Sequence, residues 1–413
     1  MKNFRFTTRL LMGAAIAFAA MAPLTSCSDD DDDDEDPTPT TNNNGGGNNS
    51  GNIVVSSNIT TNTTWSEGNI YELAGRIAVE SGATLIIEPG VIVKGRAGTG
   101  ANATALIVAR GASIDAAGTA QKPIIFTSVA DQIQPGDTES PNLDPDQNGL
   151  WGGVIILGSA PISASNTGGD LSEINIEGIP TTDPNGLYGG NKPADNSGTF
   201  TYVSIRHGGA NIGQGNEING LSLGGVGSAT TINNIEIVGN QDDGIEWFGG
   251  TVNVSDVVVW NSFDDAIDTD QAWSGTLDNF VIVTPRGSCF ELDGPEGTAS
   301  GSHTIQNGTV IASDTSNNLT GGYLVDVDSD SEVSMNNINF RGVASGQTFS
   351  KDAGAAGVSF TNVTVDVPAA NLANYFENAI SNPGGISAGQ MNEADVSKLG
   401  WTWASVAGGL SGM

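Results

Sequence analysis

Apolar residues recur through the second half of the chain in a six-residue phrase, apolar-x-Asn-apolar-x-apolar. It is read in Ile232-Asn233-Asn234-Ile235-Glu236-Ile237 and, with Asp in the Asn place, in Val254-Ser255-Asp256-Val257-Val258-Val259. It returns in Leu277-Asp278-Asn279-Phe280-Val281-Ile282, Ile305-Gln306-Asn307-Gly308-Thr309-Val310, Met335-Asn336-Asn337-Ile338-Asn339-Phe340 and Phe360-Thr361-Asn362-Val363-Thr364-Val365. An earlier variant, Phe200-Thr201-Tyr202-Val203-Ser204-Ile205, carries Tyr at that place. From Asn234 the steps are 22, 23, 28, 30 and 25 residues. A period of this size predicts a solenoid, with loops inserted on the longer coils. Strands on successive coils stack about 4.8 Å apart, so amides in register bond to one another along the axis. Asn279 and Asn307 are accordingly expected to be buried ladder members.

Upstream, short apolar runs alternate with Gly-rich turns: Ile77-Ala78-Val79, Leu85-Ile86-Ile87, Val91-Ile92-Val93, Leu106-Ile107-Val108 and Ile124-Ile125-Phe126. Such continuous runs read as parallel strands rather than amphipathic helices. A helix is expected near Ala370 to Ile380, and Leu399-Gly400-Trp401-Thr402-Trp403 is expected to pack as a terminal cap. The chain therefore divides into 1–26, 27–52, an all-β solenoid over 53–368, and a helix and cap over 369–413.

Between the Asn copies runs a second register: Asn219-Gly-Leu-Ser-Leu-Gly, Asp243-Gly-Ile-Glu-Trp-Phe, Asp265-Ala-Ile-Asp-Thr-Asp, Ser288-Cys-Phe-Glu-Leu-Asp and Tyr323-Leu-Val-Asp-Val-Asp. Strand alternation points Ile245, Ile267, Phe290 and Val325 inward. Glu246, Asp268, Glu291 and Asp326 then form one outward column, Asp270, Asp293 and Asp328 a second, and Asp243 and Asp265 begin a third. Two carboxylates about 5 Å apart repel by roughly 0.8 kcal/mol in bulk water and about 3 kcal/mol at an effective dielectric near 20. Without Lys or Arg in these strands, the grid is protonated, hydrated or bound to cations. Ca²⁺, with six to eight oxygen ligands, suits such a surface; a solvated acidic face is the competing reading. A second candidate is Asp144-Pro145-Asp146-Gln147-Asn148-Gly149, which fits the opening of a calcium loop, Asp144, Asp146 and Asn148 being the ligands. Its twelfth place is Ile155, so another acid, Asp137 or Glu139, would have to complete it; otherwise the segment is a turn.

The chain begins with Lys2, Arg5 and Arg9 and an apolar run from Leu10 to Leu24, a secretory signal peptide. Leu24-Thr25-Ser26-Cys27 resembles the lipobox of bacterial lipoproteins, which implies a lipidated Cys27. The run Asp29 to Asp36 resembles the export signal of Bacteroidota surface lipoproteins, which implies an outer-membrane anchor and an extracellular face. Residues 37–52 are a flexible linker. Net charge is −33, from 47 acids and 14 Lys and Arg. Without the three cations of the signal peptide and the eight acids of the run, the body carries 39 acids against 11 cations, or −28. Nucleic acid is excluded as a partner on this charge, while cations are attracted. A lipidated Cys27 leaves Cys289 with no disulfide partner.

Four further segments carry a family resemblance: Glu88-Pro89-Gly90-Val91, Gly149-Leu150-Trp151-Gly152-Gly153-Val154-Ile155-Ile156-Leu157-Gly158, Asn216-Glu217-Ile218-Asn219-Gly220-Leu221 and Asp242-Asp243-Gly244-Ile245-Glu246-Trp247-Phe248-Gly249-Gly250-Thr251-Val252. They resemble Bacteroidota surface lipoproteins that look like single pectate-lyase-type domains, right-handed parallel β-helices. That resemblance implies a fold and little chemistry.

For chemistry, Asn261-Ser262-Phe263-Asp264-Asp265-Ala266-Ile267 looks like the Asp-Asp motif of polygalacturonases, which makes Asp264, Asp265 and Asp268 candidates for acid–base work on an acidic polysaccharide. Neither their His-Gly nor their Arg-x-Lys motif follows this segment. A lyase would need a base beside Ca²⁺, and Arg286 is the nearest candidate; an exposed turn after Pro285 is the alternative. His207 and His303 read as turn residues. Trp247, Trp260 and Trp273 flank the acidic coils as candidate glycan platforms, with core packing as the alternative. The first reading is a cation-dependent module that binds glycans or cell-surface proteins; the second is a polysaccharide lyase or hydrolase.

Overall fold

The computed structural model describes residues 52–212, 217–314, 319–391 and 394–413. The segment read as a signal peptide, Cys27 and the acidic run lie outside them. Over the described residues the chain winds as a right-handed parallel β-helix, as its period implies. One sheet has eight parallel strands, one per coil: Arg76–Val79, Ala105–Val108, Val154–Leu157, Leu221–Gly224, Ile245–Phe248, Ile267–Asp270, Phe290–Leu292 and Asp326–Val327. The other sheet has fifteen strands, many of them seven to nine residues long, such as Thr231–Val238 and His303–Ile311.

The Asn phrase makes these long strands turn a corner. Asn234, Asp256, Asn279, Asn307, Asn337 and Asn362 all have φ between 53° and 59°, and Tyr202 has 51°. Pairing of adjacent coils runs up to this residue, skips it and resumes beyond it. One left-handed residue per coil thus bends the strand, and Asn and Asp tolerate that conformation better than other residues with a Cβ. Asn362 Nδ2 donates to Asn337 Oδ1 at 2.8 Å and Asn337 Nδ2 to Asn307 Oδ1 at 3.0 Å. The amides do stack, but the expected burial holds only in part: Asn279 is buried, Asn307 is half-buried, and Asn337 and Asn362 are exposed. The ladder stands at an outer corner, not in the interior.

Interior layers are mainly apolar. The inward column Leu106, Val154, Leu221, Ile245, Ile267 and Phe290 is fully buried. Phe280 fills its coil so far that the residue above it in register is Gly308, where a Cβ would lie 2.0 Å from the Phe280 ring. Phe280, Phe290, Phe340, Phe349 and Phe360 then continue the core as edge-to-face pairs, with centroids 5.5–6.1 Å apart.

The C-terminal part departs from expectation. Residues 369–379 form two 3₁₀ segments, Ala369–Tyr375 and Glu377–Ala379, rather than an α-helix. Between them Phe376 is buried against Phe349, 5.4 Å between ring centroids. Ile386–Ala388 then pairs in parallel with Val358–Val365, so the solenoid outlasts residue 368. Beyond it the chain runs back along the outer face of the long sheet. Met391 O meets Asn339, Asp395 meets Asn279, Lys398 meets Asp256, Trp401 meets Tyr202 and Trp403 meets His207. Leu399, Ala404 and Leu410 cover Val258, Val281 and Val283. The expected cap is therefore a lateral strap. It also closes a buried ion pair: Arg206 Nη2 lies 3.5 Å from Glu236 Oε2, Ala404 N–H donates to Glu236 Oε1 at 2.9 Å, and Trp403 covers the guanidinium.

Candidate functional site

The eight-stranded sheet presents a column of side chains outward that changes character halfway. From Ala78, Ile107 and Ile155 it passes through Ser222 to Glu246, Asp268, Glu291 and Asp326. The apolar half is roofed by inserted loops through Ile176, Ile179, Tyr188, Ile212 and Ile218. The acidic half follows the register read from the sequence. Asp270 stacks beneath Asp293, whose N–H donates to Thr269 O, and Asp328 follows through its own bond to Leu292 O. In the third column Asp243 Oδ1 accepts the Asp265 N–H at 2.9 Å, and Asp265 Oδ1 accepts the N–H of Ser288 on the next coil.

Three of these carboxylates converge. Asp243, Glu246 and Asp268 each offer an oxygen, all within 4.8 Å of one another, and Asp242, Asp243 and Asp264 form a second such group. Asn219, 1% exposed, donates from Nδ2 to Glu246 Oε2, while its Oδ1 is enclosed without a partner, as is Asp268 Oδ1. Burial, reinforced by neighbouring acids, holds Asp243, Glu246, Asp268 and Asp270 well above the usual carboxylate range. Asp242 is pushed up to about 8 by burial and by Glu177, which the roofing loop brings alongside. Asp293 rises to about 7 through burial and Asp328. Glu291 rises to about 11, first because it shares a hydrogen bond with Asp265 and then through burial. Among the described residues, the charges that act most on Asp242, Asp243, Glu246 and Asp268 are all acidic. Such a site retains protons or takes up a cation, and its all-oxygen donor set suits Ca²⁺ or another hard cation.

Other candidates are placed elsewhere. Trp247 and Trp273 are buried in the solenoid and stack at 4.7 Å, so neither is a glycan platform. The alternation that turns Glu246 outward turns Trp247 inward, where small Thr269 makes room on the next coil. Trp260 is half-buried against Trp403 of the strap. His303 is no turn residue: it begins a strand, lies inside against Trp273, and is pushed down to about 3 by burial. His207 does sit at a turn, with φ 58°. Arg286 lies over the Phe263 ring, 3.6 Å from its centroid, and reaches Asp146 at 3.7 Å, so its head is engaged away from the carboxylate columns. In the 144–149 segment Asp144 and Asp146 are exposed, and the carbonyls of Pro145 and Gln147 accept bonds from Asn261 and His207. Its carbonyls dock the turn on the solenoid rather than face an ion, so the structure does not gather Asp144, Asp146 and Asn148 into a loop site.

Missed from the sequence were Asp242, Glu177 and Glu217. The last two come from inserted loops outside any repeat register, so no spacing signals them.

Fold and site together define an all-β solenoid of pectate-lyase-like architecture with a buried acidic face. The family model for pectate-lyase like beta helix domains matches residues 57–403, and the chain belongs to that family. No curated protein and no solved structure matches it.

Proposed function

We propose that this protein is a surface-exposed, lipid-anchored β-helix that binds a divalent cation, Ca²⁺ above others, and through it contacts glycans or partner proteins. The carrying observation is the convergence of Asp243, Glu246 and Asp268 beside an enclosed Asn219 oxygen that has no partner. A cation between these groups answers both the missing partner and the uncompensated charge. Membership of a pectate-lyase-like family is compatible with a carbohydrate-related role. The lipid anchor rests on Cys27 and the acidic run of the sequence.

Melting temperature should rise with Ca²⁺ and fall with chelator, because a ligand of the folded state stabilises by mass action. Mg²⁺ should do less, since it demands tighter octahedral geometry. Glu246→Gln with Asp268→Asn should remove most of the calcium response; melting indifferent to Ca²⁺ would end the cation reading. Binding to a glycan panel with and without chelator tests the contact itself. For the anchor, Cys27→Ala should release the protein from membranes, and deletion of residues 29–36 should protect it from protease added to intact cells. Equal protease sensitivity of the deletion and the parent refutes the export reading.

A further inference from the structure

We infer that the C-terminal strap is an acid-released latch with His207 as its trigger: proton uptake by the imidazole frees Trp403 and lifts the strap from the long sheet, while the coils beneath stay folded. His207 is fully buried at the turn after Gly198–Arg206. Its Nδ1 lies 2.7 Å from Gln147 O. A carbonyl oxygen only accepts, so the neutral ring carries its proton on Nδ1 and keeps a lone pair on Nε2. That Nε2 is enclosed without a partner. Trp403 of the strap meets the imidazole edge to face, 5.8 Å between centroids, and the same indole covers the Arg206 guanidinium at 4.9 Å. Arg206 is 1% exposed, and its Nη1 also lacks a partner.

A second proton on His207 therefore creates a buried donor with no acceptor, one residue from a buried cation with an unanswered N–H of its own. The charges that face the ring do not relieve it. From its own strand comes Arg206, whose Nε is given to Ser204 Oγ and Nη2 to Glu236. Glu236, on the next coil, also takes the Ser204 hydroxyl and the Ala404 N–H. From the inserted loop come Asp131 and Asp146. Asp131 is engaged by Thr127, Ser140 and the Ile133 N–H, and Asp146 is exposed with Arg286 at 3.7 Å. The strap brings no charge against the ring, its short helix being Trp403–Val406. Burial holds the imidazole below its ordinary value of 6.5 and Arg206 adds to this, while Gln147 O, Asp131 and Asp146 pull the other way. The closed state then binds the proton less tightly than the open one. Closure is complete above about pH 6.5 and weakens as pH falls below it.

Of the groups around the ring, the strap is the one that yields. Gln147 sits in a turn docked by backbone bonds, Gly149 N–H to Gly208 O and Leu150 N–H to His207 O. Arg206 belongs to a strand paired on both sides. The strap is held through side chains, Asp395 on Asn279, Lys398 on Asp256 and Ala404 on Glu236. Its release uncovers Val258, Val281 and Val283. The acidic columns respond with the opposite sign: their raised carboxyls favour the folded state as pH falls. Acid thus loosens the strap without loosening the solenoid.

Amide hydrogen exchange on the full chain, read by mass spectrometry and normalised at each pH to unstructured peptides, tests this. Between about pH 7.5 and about pH 5, protection of residues 394–413 should fall by at least about fivefold, while strands Ile245–Phe248 and Thr276–Val283 hold theirs. His207→Asn accepts the positive φ and does not titrate, so its strap should exchange independently of pH. Should that variant fail to fold, the parent decides by NMR. His207 and His303 are the only imidazoles, and His303 is pushed down to about 3, so one ring titrates in this range. Its midpoint should coincide with that of strap opening. Strap protection indifferent to pH, equal loosening in parent and variant, loosening of all coils together, or midpoints that differ would each overturn the inference.

Discussion

The acidic columns make a sharp demand on the cation-free protein, and Asp293→Asn exposes it. Asp293 is partly buried in the second column, with Asp328 and Asp326 facing it, and its carboxyl titrates near 7 instead of 3.8. A folded-state pKa above the unfolded one means that the native state holds the proton more tightly. Stability from this group is therefore complete below about pH 4 and drains away as pH rises towards 7. The shift corresponds to about 4 kcal/mol at full ionisation. Partial exposure and shared titration with its neighbours reduce this to about 1–2 kcal/mol. Asn keeps the shape and cannot ionise. In chelator at pH 8 the variant should melt higher than the parent, by roughly 1–3 °C at the entropy scale of a chain this long. At pH 4 the two should melt together. Thermal unfolding followed by circular dichroism across pH 4–8 reads both ends. A variant that melts lower at pH 8, or a gain that persists unchanged at pH 4, refutes the account of this column as mutual repulsion held in a buried place.

Gly308→Val forces a side chain into the Phe280 ring and should cost about 1–3 kcal/mol; adding Phe280→Leu should return part of it, and purely additive losses in the double variant would show that the two do not share the layer. Asn307→Gly should leave stability within about 1 kcal/mol, whereas Asn307→Val, β-branched at φ 59°, should cost about 1–3 kcal/mol; equal losses would refute the left-handed corner as the reason for the Asn phrase. Trp403→Ala should cost about 3–5 kcal/mol and expose the Arg206–Glu236 pair to proteolysis-sensitive opening of the strap; a melt within 1 °C of the parent would show that the strap contributes little.

The repeat was legible because a solenoid writes its geometry once per coil. Six apolar-flanked Asn or Asp residues gave the period, and strand alternation from Ile245 and Ile267 gave the acidic columns in their true register. The purpose of the Asn was misread: stacked amides are a secondary gain, and the primary demand is a residue that accepts positive φ at a corner. Trp247 was ambiguous only when taken alone, since the rule that placed Glu246 outside also places it inside. The C-terminal segment was legible as a packed cap, but its lateral course was not, because its contacts with Asn279 and Asp256 join residues more than a hundred positions apart and follow no repeat. Glu177 was hidden for the same reason.

The strap changes how the molecule comes apart. A bare solenoid couples each coil only to its two neighbours, so end coils fray independently and unfolding creeps inward. Here one short segment is fastened to coils from Asn339 back to Tyr202. Peeling the terminal coil first means pulling on a segment held six to seven strands away in the long sheet, at the Arg206–Glu236 pair beneath Trp403. Resistance at the C-terminal end is then set by the whole span the strap crosses, not by the last coil alone. The opposite end has no such tie among the described residues: Ile53–Val55 pairs on one edge only, with Ile70–Leu73. Under mechanical load applied through the N-terminus, the side on which the proposed anchor lies, the first coils should yield one at a time, while the strapped coils should let go together.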